Sequence, residues 1–277
     1  MNLKAFIQRH PTTTYFGIAF LIPFVGSLTV MLPRLLRGEA IQPLDALLLF
    51  PVMELGVFLA GIILTRVVDG KRGLRDLFAR MGHWRVGASW YAAVLLTPPC
   101  VLLVVLLTLK TVATPLFSPD FHLDGLAFGL VAGFFEETGW TGYAFPKLRL
   151  QYNALTASII LGGLWGLWHM AVVDQLGAAG PHGIYWLAFF LSFAAILMAI
   201  RVLIGWVYSN TKSVLLAQLM HASLTASLVI FSPAPISPAN ETLWYAAYAV
   251  ALWIVATLVI IVYGKHFVRQ MTQVKTI

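Results

Sequence analysis

Long apolar runs alternate with short polar breaks along the whole chain. Runs at 15–33, 44–65, 88–109, 123–145, 154–173, 184–204, 213–231 and 243–263 each reach the ~20 mostly apolar residues that a membrane-crossing helix needs. The pattern predicts an all-α fold, a polytopic transmembrane bundle of about eight helices. Pro33 with Arg34 and Arg37 is read as the end of the first helix, and the polar stretch Arg66–Arg85 as a loop. Thr114-Pro115 through Asp124, Pro146–Asn153, Gly177–Gly183 and the proline-rich Ser232–Asn240 mark further breaks, since Gly and Pro punctuate loops. Neither a tandem repeat nor a linker interrupts the pattern. A single integral-membrane domain, 1–277, with a motif-bearing core at about 123–231, is the expected organisation.

Composition agrees. The 277 residues are 60% hydrophobic and 10% charged, against ~25% charged in a soluble domain. Lys4 and Arg9 ahead of an apolar stretch imitate a signal peptide. Tyr15–Leu32 is long for such a core, however, and lacks a clear cleavage site, so it is read as the first spanning helix. The net charge of +7 is assigned to loops at the membrane surface and not to nucleic-acid binding. With eight helices and an inner N-terminus, all of the 18 Lys and Arg except Arg34, Arg37 and Lys110 fall on the inner side, as the positive-inside rule requires. That count places Arg201 at the inner end of the sixth helix. A multi-pass protein of the cell membrane with both termini cytoplasmic follows as the expectation. The 66–85 loop would touch anionic lipid headgroups of the bilayer. Cys100 is the one cysteine, so neither a disulfide nor a cysteine-based metal site can form within the chain.

Few polar residues interrupt the apolar runs. Glu54 stands alone in the second, open between a packing and a functional role. Glu136 and Glu137 are adjacent in the fourth, where each charge costs at least ~2.5–3.5 kcal/mol near the bilayer centre. Trp165 and His169 share a face of the fifth, four residues apart, and Gln218, His221 and Thr225 share a face of the seventh. Gly125, Gly129 and Gly133 recur at four-residue spacing, as do Gly162 and Gly166. Such faces let helix backbones approach closely, so the fourth, fifth and seventh helices are expected to cluster around the polar groups. Counting from the helix ends puts Glu136 and His221 near mid-membrane and His169 nearer the outer side.

Two carboxylates and two imidazoles can activate a water for attack on an acyl group. They can also form a proton or ion pathway, or simply bond helices together. Residue types and spacing leave hydrolase and proton-coupled transporter both open.

The order Glu136-Glu137-Thr138-Gly139-Trp140-Thr141, then Trp165-x-x-x-His169, then His221-x-x-x-Thr225 resembles the CPBP family of intramembrane proteases. That family includes CAAX prenyl endopeptidases and Abi-type proteins of bacteriocin immunity. The Gly-Trp-x-Gly-Tyr-x-x-Pro extension at 139–146 fits as well, and the likeness covers roughly 125–230. The resemblance implies an intramembrane glutamate-dependent endopeptidase acting on a peptide or prenylated peptide. By it, Glu136 activates the water, Glu137 supports it or binds substrate, His169 assists, and His221 with Thr225 stabilises the oxyanion. The family is commonly filed as metalloproteases. A divalent metal such as zinc is compatible and not required; if present, Glu136, His169 and His221 would hold it, with Glu137 then the base. Two positions depart from the family pattern: Thr141 stands where the motif has arginine, and Thr225 where asparagine is common. The missing arginine raises a second expectation, a non-catalytic membrane immunity or partner protein on the same scaffold.

Overall fold

The computed structural model describes residues 2–39, 43–171 and 182–268. The 172–173 end of the predicted fifth helix, most of the Gly177–Gly183 break, and Arg269 and Lys275 lie outside the described residues.

The chain folds as a polytopic helical bundle. A short α1 (Leu3–Arg9) precedes α2 (Pro11–Leu36), α3 (Pro43–Val68), α4 (Gly70–Met81), α5 (Ala88–Val112) and α6 (Gly125–Gly139). A π turn at Trp140–Ala144 and the short α7 (Phe145–Leu148) continue α6. Then follow α8 (Ala154–Trp168), α9 (Trp186–Thr211), α10 (Val214–Ile230) and α11 (Pro238–Tyr263). Among the described residues, five helical stretches are long and apolar enough to cross a membrane: Pro11–Arg34, Leu48–Val68, Ala88–Val112, Gly183–Thr211 and Pro238–Tyr263. Ala154–Trp168 and Val214–Ile230 are shorter apolar helices, and the α6–α7 train carries the two carboxylates. Each predicted run therefore has a helix. Large aliphatic side chains such as Leu28, Ile63, Val104, Leu191 and Ile261 face outward, as a surface solvated by lipid tails requires.

Several boundaries differ from expectation for identifiable reasons. Pro33 does not end α2, which runs on to Leu36 with both Pro23 and Pro33 inside it; a proline removes only one donor, a loss that membrane helices tolerate. Arg66–Arg85 is not a loop throughout. Its centre is α4, strongly amphipathic, with Leu77 buried and Lys71, Arg72 and Arg75 exposed. The last helix begins earlier than predicted because the Ser237 side chain accepts from the Asn240 amide and Pro238 sits in the first turn, a favoured N-terminal arrangement.

The glycine faces decide which helices touch. A Cβ on Gly129 or Gly133 would run into the backbone carbonyls of Ala222 and Gln218, so α6 and α10 meet backbone to backbone. Gly162 and Gly166 face Met198 and Ala194 instead, which sets α8 against α9. The expected cluster therefore gains a fourth member, α9, and α3 closes on α6 from another side.

Candidate active site

Glu136 and Glu137 are neighbours on α6, about 100° apart around a helix axis, and they end in different surroundings. Glu137 is fully buried. Arg201 of α9 forks onto it, Nη2 donating to Oε1 at 2.6 Å and Nη1 to Oε2 at 2.8 Å. The Thr141 hydroxyl, one turn along α6, donates to Oε2 and accepts from Arg201 Nη1 at 3.1 Å. His221 Nδ1 lies 3.0 Å from Oε1. The carboxylate thus meets four donors, which offsets the cost of burying its charge.

Glu136 is only half engaged. Its Oε2 accepts from the indole N–H groups of Trp140, at 3.0 Å, and Trp165, at 2.6 Å. Its Oε1 faces His221 Nε2 at 3.8 Å. Helix α2 packs on the first of these indoles, through Tyr15 and Phe16 on Trp140, and it accepts from a third, Trp168, at the Ala19 carbonyl (2.9 Å). Trp165 is also stacked by the Arg201 guanidinium, 4.6 Å from its ring centre.

The histidine tautomers follow from their partners. Glu137 can only accept, so Nδ1 of His221 carries a hydrogen and a neutral ring leaves Nε2 bare. His169 Nδ1 is 2.9 Å from the Trp165 carbonyl, which also only accepts, so the same holds there. His169 comes into the site because α8 ends at Trp168 and passes into a short 3-10 turn at His169–Ala171, more than a turn before the predicted 173. The Trp165 ring lies 5.8 Å from that of His169 and 4.8 Å from that of His221, so both imidazoles flank one indole.

Glu136, His169, His221 and Thr225 all line one cavity of about 150 Å³. Thr225 stands one turn from His221 on α10. Glu54, from α3, lines it too and meets the Glu136 carboxyl; its Oε2 has no hydrogen-bond partner among the described residues. Aromatic and aliphatic side chains, among them Phe50, Phe128, Phe193, Leu228 and Tyr245, form the rest of the wall. Of the five expected catalytic residues, Glu137 alone does not line this cavity. Gln218 turns to α6, bonding the Phe134 carbonyl at 3.2 Å and Thr138 Oγ1 at 3.1 Å, so it joins helices.

Glu136, His169 and His221, the ligands expected of a metal if one is bound, line the same cavity, although among the described residues no three His, Cys, Asp or Glu side chains stand together as a binding group. One oxygen of Glu136 is taken by two indoles. The arrangement offers a carboxylate with its other oxygen toward the cavity, the Glu54 carboxyl beside it, two imidazole acceptors and a hydroxyl around a small space.

Arg201 was not predicted here. The charge count placed it at the inner membrane face, whereas it is fully buried and paired with Glu137. A lone cation with an apolar stretch on either side was the available signal, since such a charge needs a buried partner.

Residues 118–227 match the family model for type II CAAX prenyl endopeptidases, Rce1-like. The CAAX prenyl protease 2 of Methanococcus maripaludis is 37% identical over 111 residues. Those residues are 38% of this chain and 39% of that protein, so the matched part spans about two-fifths of the relative's length. The match runs from just before α6 to within α10 and so holds Glu136, Glu137, His169, Arg201, His221 and Thr225, while Glu54 and α2 lie outside it. With its paired glutamates, its two histidines and its order of helices, the segment 118–227 is similar to the Rce1-like CAAX prenyl endopeptidases.

Proposed function

We propose that this chain is an intramembrane endopeptidase of the CAAX prenyl type, with Glu136 as the base that activates water. The observation that carries this reading is the asymmetry of the pair: Glu137 is saturated by four donors, while Glu136 keeps one oxygen toward the cavity. A water in that cavity gives a proton to Glu136 Oε1, and its oxygen attacks the scissile carbonyl carbon. The Thr225 hydroxyl donates to the developing oxyanion, as does His221 when its ring is protonated. The C–N bond then breaks, and the proton held by Glu136 passes to the leaving nitrogen, with His169 beside the same space. The two indoles on Oε2 orient the carboxylate for both transfers, a form of preorganisation.

The wall of the cavity supports a substrate with an apolar tail, such as a prenylated peptide, because aromatic and aliphatic side chains dominate it. The missing motif arginine, which motivated a non-catalytic reading, carries less weight once Arg201 is seen to supply a guanidinium from another helix. The proposal includes cytoplasmic termini and residence in the cell membrane.

Purified protein in lipid nanodiscs, given a fluorogenic farnesylated peptide, is expected to cleave it. Glu136→Ala and His169→Ala are expected to lower turnover by about 10²-fold or more, the size of effect typical of a lost acid–base group. Full activity in both variants would sink the mechanism.

A further inference from the structure

The guanidinium of Arg201 is a fully buried cation at the site that the proposed reaction does not use. It never lines the cavity, so it touches no reacting atom. Its two forked bonds go to Glu137, a third goes to Thr141, and its face lies on Trp165. Glu137 in turn reaches the cavity through one contact, His221 Nδ1. Arg201, Glu137 and His221 thus form a line from α9 through α6 to α10, ending at the Nε2 that faces Glu136.

Three features show that this line is built. Buried ion pairs are weak contributors to stability compared with apolar packing, so a fully desolvated pair calls for another role. The reach from α9 to α6 depends on Gly162, whose missing side chain leaves room beside Arg201 Cβ and Met198 Cα. The bonds are also bidentate, a pattern that a guanidinium forms and an ammonium does not. Without its cation, Glu137 would be a buried carboxylate with only Thr141 and His221 to meet it, free to take a proton and turn away from His221.

We propose that Arg201 is the positioning residue of the site: acting through Glu137, it holds His221 with Nδ1–H bonded inward and Nε2 turned to Glu136 and the cavity. This rests on the hydrolase reading only for its catalytic consequence, since the ring orientation can be read without any activity.

The test uses the full chain in nanodiscs as wild type, R201K and R201Q, labelled with [15N]histidine, with H221Q assigning the His221 signals. Folding is checked by size exclusion and thermal melting. Where R201Q does not fold, R201K carries the test, since it keeps the buried charge and removes only the forked bonds. Wild type is expected to show a His221 Nδ1–H resonance that both arginine variants shift or lose. With the farnesylated peptide, kcat is expected to fall on the order of 10²-fold, as for a misplaced catalytic group, with KM changed less than about threefold. An unchanged His221 spectrum in the folded variants overturns the proposal, as does a loss confined to KM. A wild type that cleaves no peptide yet shows the spectral change removes the protease reading and leaves the positioning role standing.

Discussion

Adjacent residues of one type meet opposite surroundings here. Glu137 is bound by Arg201, Thr141 and His221. Glu136 lines the cavity, and in the proposed reaction it is the base while Glu137 holds structure. The two should therefore fail differently. E136Q keeps the shape and both indole bonds, so it is expected to melt within a degree or two of wild type while losing turnover. E137A removes one partner of a buried ion pair, which costs ~3–5 kcal/mol, and is expected to lower the melting temperature sharply. Paired thermal melts and turnover assays check this, and equal melting of the two variants would contradict the division of labour. At this scale most of the site was legible, because Glu136, Glu137, His169, His221 and Thr225 each interrupt an apolar run. Arg201 was not, because a cation in an apolar stretch looks the same whether it ends at the membrane face or in an ion pair with a residue 64 positions away.

Among the elements, α6 does the most positioning. Its glycine face brings α10 close enough for His221 to reach Glu137, and its π turn ends where Pro146, lacking an N–H, leaves the Gly142 carbonyl short of its usual donor. Arg80 of α4 fills that place with two bonds at 3.2 and 3.1 Å. Such π segments are frequent at functional sites. A leucine at Gly133 would have to push aside the backbone at Gln218 and Ala222, and overpacking of this kind costs typically ~1–3 kcal/mol or more. G133L is expected to lose activity and to melt lower, whereas G163L, at a glycine with open space around it, should do neither; matched melts and assays of the pair distinguish them. The spacing of the glycines was visible in the chain, but their partners were not. Gly162 and Gly166 face α9 and not the helices that carry the acids, because a small-residue face states that some helix approaches without stating which one.

Across the whole molecule, the site is assembled from helices distant in the chain. The segment 118–227, which matches the Rce1-like model, supplies the paired acids, the imidazoles and the arginine. Helices outside it supply Glu54 and the aromatic packing of α2 that holds Trp140. Basic residues crowd one predicted side of the membrane, and α4 turns Lys71, Arg72 and Arg75 outward there. Accessibility labelling of single cysteines in a Cys100→Ser background is expected to find positions 2 and 75 on the cytoplasmic side and position 38 on the other. Labelling of position 38 from the cytoplasm would break the proposed topology. By itself the sequence determined that the chain lies in a membrane, how its helices succeed one another, and which polar side chains interrupt its apolar runs. These are properties of composition and period, which act locally along the chain. Only the tertiary structure decided which carboxylate is free, that Arg201 takes part, and which helix each glycine face admits, since burial and pairing depend on neighbours that packing chooses.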